Sequence, residues 1–294
     1  MRMNQQSTVT VTKIVVVTLI ATALCAATAQ ARPLAISASQ DQARVSSFSL
    51  NFGELGGVAS ALIAQTDLTV EIDAETGSAR LIEYQQEIDP LTLPGGFSTG
   101  NIHVEIVEDT SSGTFDSRTG EFTTSELYAI FFDGDLSAFG LESPVLLPST
   151  STGTITIDSN TSSGSVQLDW EGASELSNPF DPATPLSFTY ICTMSTAFVP
   201  EADTMLEISL IPFMLNLTLR VGLETNLLAS LDRSSYLIEI GRDNAAERNL
   251  IAFINKVDAL ADRRIDADDA DIMIDVAEAT IFLLDTTKRG RSGR

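Results

Sequence analysis

The chain has 294 residues, with 40 Asp and Glu against 17 Lys and Arg, and a formal net charge of −23. So acidic a surface repels nucleic acid and anionic membranes, and it favours cations or basic partners. A single histidine and 2 cysteines exclude H-E-x-x-H zinc sites, other multi-histidine sites and a disulfide framework.

Residues 1–31 contain no acid, and Arg2 and Lys13 precede an apolar run from Ile14 to Leu24. Ala29-Gln30-Ala31 is an A-x-A cleavage signal, so residues 1–31 read as a Sec-type signal peptide of an exported protein. The apolar run is too short to span a bilayer. Removing it takes Arg2 and Lys13 from the 17 basic residues and nothing from the 40 acidic ones, which moves the charge to about −25. Cys25 leaves with the signal, and Cys192 remains alone as a buried small hydrophobe.

From Ala43 to about Val199 the pattern has period two. Phe48, Leu50 and Phe52 alternate with polar residues. So do Leu68, Val70 and Ile72, then Ile102, Val104 and Ile106, then Val166, Leu168 and Trp170. Such alternation marks strands with one buried face, and frequent turn signals place them in a sandwich or barrel. The expected fold is an antiparallel β-sandwich-like domain over 32–200. Asp73-x-x-Thr76-Gly77 and Asp116-x-x-Thr119-Gly120 are one repeated motif, echoed at Asp158 and Asp181. Asx turns closed by glycine are the expected role, with calcium loops at Asp73 and Asp116 as the alternative. Asp133-Gly134-Asp135 is read as a further hairpin turn, and the Ser/Thr-rich run 143–163 as partly loop.

Val199-Pro200-Glu201 marks the boundary to a helical module over 201–286. Residues 205–215 are expected as a lead-in helix, or as a strand LEISLI. Leu227, Leu228, Leu231 and Ile238 then share a helical face that Gly241 stops. A second stripe runs through Ala246, Leu250, Phe253 and Val257, with Asp243 or Asn244 as its cap. A third runs through Ala270, Met273, Ala277, Ile281 and Leu284 behind Asp266 as N-cap. Residues 287–294 read as a basic disordered tail. The whole is α+β in separate domains: a β domain followed by a small C-terminal helical bundle.

The runs LLASL, AFINKV and I-x-x-x-x-A-D in this module resemble the FIMAH domain, a small helical unit at the C-termini of secreted and surface proteins of prokaryotes. The resemblance covers roughly a quarter to a third of the chain and implies no catalysis. Here Ala261-Asp262-Arg263-Arg264 replaces the glycine and lysines usual before the last helix.

Asp266, Asp268, Asp269 and Asp271 open with a D-x-D pattern that an EF-hand loop shares. Ala270, Asp271 and Ala277 stand where such a loop needs an oxygen ligand, a glycine and a glutamate. A helix N-terminus is therefore expected, with calcium as the alternative. No Walker loop, no G-x-G-x-x-G fingerprint and no G-x-S-x-G elbow is expected. His103 should face solvent from its strand. No catalytic residue and no cofactor is assigned. The sequence points to an exported, non-catalytic binding or surface-interaction protein with an unknown extracellular or envelope partner. A structural envelope component, or a carboxylate-based hydrolase, are the alternatives.

Overall fold

The computed structural model describes residues 33–292 except Gly56, Glu75, Pro179, Phe180, Pro182, Thr218 and Arg220. The expected signal peptide lies outside the described residues. Strands β1 (Leu34–Gln40), β2 (Ser47–Asn51), β3 (Val58–Asp73) and β4 (Ser78–Ile88) come first. A rim hairpin β5 (Thr92–Leu93) and β6 (Phe97–Ser98) follows, then β7 (Ile102–Ile106), β8 (Ser112–Asp116) and β9 (Glu121–Phe132). Last come β10 (Val145–Asp158), β11 (Ser163–Leu176) and β12 (Leu186–Phe198).

Ten of these strands form one antiparallel sheet, and its ends meet because β3 pairs with β4 and β12 with both β1 and β2. The result is a closed up-and-down barrel. Two of its staves are broken. β1 and β2 lie end to end between β3 and β12, and β7 and β8 lie end to end between β4 and β9. The expected sandwich thus gives way to a single closed sheet. Alternation tells which face of a strand is buried, but not whether that face meets a second sheet or the far wall of its own.

Closure of eight positions leaves an interior that side chains fill. Trp170, Tyr84, Tyr128 and Tyr190 are all buried there. Trp170 stacks within 4.9 Å of Tyr128 and 5.6 Å of Tyr190, centroid to centroid. Its Nε1–H donates to the Tyr84 hydroxyl at 2.9 Å. The outer face of β4 is largely polar: Ser78, Arg80, Glu83, Gln85 and Glu87 are exposed, with Ile82 the apolar exception. That is the reverse of a lipid-facing barrel, whose outer band is apolar. No helix among the described residues is long and apolar enough to cross a membrane.

Three glycines in the strands lie against aromatic rings. In the strand registers Gly153 lies opposite Phe122, Gly164 opposite Phe198 and Gly172 opposite Tyr190. A Cβ on each would sit 2.1–2.4 Å from the partner ring or its hydroxyl. The rings lie over the glycines and restore the packing that a missing side chain gives up.

The Ser/Thr-rich run 143–163 is partly loop as expected, at 143–144 and in the turn 159–162, while Val145–Asp158 is strand β10. Its threonines alternate outward from buried Leu147, Ser149, Ser151 and Ile155, and branched Thr suits a pleated surface. Pro148 is tolerated because it faces Leu127, whose N–H and C=O turn the other way, to Thr110 Oγ1 and the Val107 N–H. Asp133-Gly134-Asp135 is no tight hairpin. It opens the longer connection to β10, with a 3₁₀ turn at Ser137–Phe139. Gly134 passes too close to the Ser98 carbonyl for a side chain, 2.2 Å from a would-be Cβ.

The D-x-x-T turns are Asx turns, as expected. Asp73 Oδ1 accepts from Thr76 N, Asp116 Oδ1 from Arg118 N and Asp158 Oδ1 from Asn160 N. Gly77 and Gly120 take the left-handed backbone at φ 66° and 73°. These three hairpins share one end of the barrel, where β12 also leaves for the helices.

The helical region holds α1 (Ala202–Met205), a π-helical turn (Leu206–Leu210), α2 (Ile211–Asn216), α3 (Val221–Glu239), α4 (Asp243–Leu260) and α5 (Ala267–Ser292). The LEISLI run is helical, not a strand. Its π turn lies just before Pro212, which lacks the N–H that would continue an α ladder. Gly241 stops α3 at φ 68°, with its N–H to the Ile238 carbonyl. Arg242, not Asp243 or Asn244, occupies the N-cap of α4, so Asp243 falls in the first turn. The expected tail is corrected too. Residues 287–292 continue α5, where Lys288 Nζ bonds Glu247 Oε2 at 2.6 Å and Asp285 Oδ1 at 3.3 Å.

The described residues, 33–292, group as one compact unit. Within it the barrel and the helices keep separate hydrophobic clusters. Ile208 of the π turn belongs to the barrel cluster, Ile157 packs against both, and Asn216 Nδ2 bonds the Arg118 carbonyl at 3.2 Å.

Candidate functional site

The barrel wall is interrupted on both sides of β9. On one side the chain leaves the stave between β7 and β8, with Asp109 at φ 58°. On the other, β10 and β11 pair only as far as Thr150 opposite Glu171, and Pro148 and Ser149 lie beyond. A shallow depression of about 580 Å³ crosses the outer face here, lined by Thr110, Ser112, Ser125, Leu127, Pro148, Thr150 and Glu171 among others.

Its surface is a grid of hydroxyls. Across β8, β9 and β10 the registers align Ser112–Ser125–Thr150 and Thr114–Thr123–Thr152. These rows end on β11 at Glu171 and Asp169. All six hydroxyl residues are exposed. Elsewhere on the barrel, facing hydroxyls bond one another: Ser37 with Thr69, Ser49 with Ser60, Thr156 with Ser165. On this face, among the described residues, the six side chains make no such bond.

Beneath the depression lies a buried acid. Glu126 of β9 is 5% exposed and points inward between Thr124 and Tyr128. Ser151 Oγ donates to its Oε1, and the Tyr128 hydroxyl lies 3.0 Å from Ser151 Oγ. Glu126 Oε2 and Thr124 Oγ1 are buried without a hydrogen-bond partner in the structure. Burial pushes the carboxyl above the usual range, while the Ser151 hydroxyl bonded to it pulls it down. Beside it, Ser149 Oγ and the Pro148 carbonyl each lie 3.0 Å from the Tyr190 hydroxyl, which fills the gap left by β11. Glu126 was legible in the sequence. It breaks the inward series Phe122, Thr124, Tyr128, Ile130 with a charge, a signal that sequence reasoning passed over.

The other sequence candidates fall elsewhere and are not brought together. Asp266 precedes α5, and its Oδ1 accepts from Asp268 N at 3.0 Å, so it acts as the N-cap. Asp268 and Asp269 lie in the first turn, with Asp271 just after. Asp73 and Asp116 shape their turns. Among the described residues no three His, Cys, Asp or Glu side chains group closely enough to hold a metal ion. His103 faces outward, half-buried, with Nδ1 2.8 Å from Glu87 Oε1 and Nε2 3.6 Å from Glu105 Oε2. Cys192 is buried against Gln86, 3.4 Å from its Nε2, and burial pushes its thiol up to about 12.

One correction concerns a motif. Gly96-Phe97-Ser98-Thr99-Gly100 does match G-x-S-x-G. A nucleophile elbow needs a strand, a sharp turn and a helix. Ser98 instead ends the two-residue strand β6, its Oγ accepts from Gly100 N, and the chain runs on into strand β7.

No family model matches the chain, and no curated protein is similar to it.

Proposed function

We propose that this is an exported, non-catalytic binding protein that engages an extracellular or envelope partner through the hydroxyl face of β8, β9 and β10. One observation carries the reading: six exposed Ser and Thr hydroxyls stand in register and, among the described residues, are not spent on side-chain bonds. Free hydroxyls both donate and accept, so they suit a polar, hydrogen-bonding partner, and Asp169 and Glu171 at the rim suit one without negative charge. The filled barrel interior directs recognition to this outer face. The A-x-A motif at residues 29–31 supports export. The separate apolar cluster of the helices supports a domain of its own over 201–286, and its likeness to the FIMAH module supports a role at the cell surface.

The test is retention of fractionated envelope components by the immobilised protein, compared with a Thr123→Val, Thr150→Val double variant. Valine keeps shape and strand preference while deleting the hydroxyl. A component held by the wild type and released by an equally stable variant is expected. Equal retention by both, or by neither, would overturn the reading.

A further inference from the structure

Among the described residues, β3 leaves part of its edge unpaired. β3 runs from Val58, but β4 ends at Ile88, opposite Ile63. Beyond that point β3 is paired only with β2, through Ser47–Asn51. The phase of its hydrogen bonds is set on both sides. Ile63 N–H bonds the Ser46 carbonyl and Phe52 N–H the Gly57 carbonyl, so the odd-numbered residues turn toward β2. Val58, Ser60 and Leu62 therefore turn their N–H and C=O groups away from it. The Leu62 carbonyl is taken by Asp89 N–H at 3.0 Å. Among the described residues no strand faces the backbone of Val58 and Ser60.

Natural edges are guarded by a charge, a proline or a bulge within the strand. Val58-Ala59-Ser60-Ala61-Leu62 has no charge and no proline, and the register shift of β3 falls beyond it, between Ile63 and Gln65. Val58 is 65% exposed and Leu62 56%. The strands beside it are uncharged too: Ser47–Asn51 and the whole of Leu186–Phe198 contain no Asp, Glu, Lys or Arg.

We propose that this edge pairs with the same edge of a second copy, antiparallel about a two-fold axis, and joins two barrels. The occupant follows from charge and symmetry. A copy at net charge −23 is repelled by the rest of its twin, and this uncharged edge lets two equal charges approach. The segment also reads almost alike in both directions about Ser60, so an antiparallel partner of the same sequence sets apolar and small residues against apolar and small ones. A two-fold contact requires that self-complementarity.

The test is sedimentation of the purified protein from micromolar to millimolar concentration, with hydrogen exchange at the Val58 and Ser60 amides. Expected are a dimer that forms with concentration and slower exchange at those two amides as it forms. Ser60→Lys, which sets two cations beside the axis on an exposed position, should abolish the dimer. The Thr123→Val, Thr150→Val variant should still dimerise, so this inference and the binding face can fail separately. A monomer at every concentration, or a dimer whose Val58 and Ser60 amides exchange as fast as in the monomer, would overturn it. Should the lysine variant not fold, the amide measurement on the wild type decides alone.

Discussion

The barrel and the helical region each shield a carboxyl from water, Glu126 and Glu207, and they do so by different means. In the barrel, Glu126 is set in a wall whose every second residue must face inward, so the acid is buried by register. In the helices, Glu207 lies on the π turn, partly buried, where Ser235 Oγ donates to it at 2.5 Å. Burial raises both carboxyls, and Asp232 and Asp203 add to the rise at Glu207 by repulsion. A closed sheet constrains side chains by alternation around a ring of long-range pairings, and a helix constrains them by a local stripe. A change in the barrel should therefore spread around the sheet, whereas one in a helix should stay within its bundle.

The largest effects test that contrast directly. Trp170→Ala and Phe253→Ala each empty a fully packed site and should cost about 3–5 kcal/mol. In Phe253→Ala the helical circular dichroism should melt below the transition reported by the fluorescence of Trp170, the single tryptophan. Coincident melting of both signals would show one cooperative unit and break the comparison. Next comes the wall. Gly172→Ala drives a methyl group into the Tyr190 hydroxyl and should lower stability by about 1–3 kcal/mol, read as a shift in the denaturant midpoint.

The two acids sharpen the comparison through pH. Each has a folded pKa above its unfolded one, so the folded state keeps a proton that the unfolded state has lost. Stability then falls as pH rises from the unfolded value toward the folded one, and the penalty is complete above it. Glu126→Gln should remove this slope and stabilise the protein at neutral pH by about 1–3 kcal/mol, the usual cost of a buried group left without a partner. Glu207→Gln should gain less, because Ser235 already serves that carboxyl. Equal gains in melting temperature would mean that the unpartnered Oε2 of Glu126 carries no special cost. The smallest effect is at the cap. Asp266→Ala should cost about 0.5–2 kcal/mol, and calcium should leave the melting temperature of wild type and variant unchanged. A calcium-dependent rise abolished by Asp268→Ala would make this N-terminus a metal site.

Much of this was written locally. Period two at Leu68–Ile72 and Val166–Trp170, the stripe through Leu250, Phe253 and Val257, the stop at Gly241 and the cap at Asp266 each depend on a few neighbouring residues. Alternation, helical spacing and capping are short-range rules, so the sequence by itself determined these elements and the faces they bury. Closure was decided elsewhere. That β12 meets β1 and β2 depends on twist and register summed around the ring, which no window of sequence contains. The same holds for strand β10 in a Ser/Thr-rich run, for the helical course of residues 287–292 beside Glu247, and for the grid of hydroxyls. Ser112, Thr123 and Thr150 are far apart in the chain, and only the registers of three strands bring them into line.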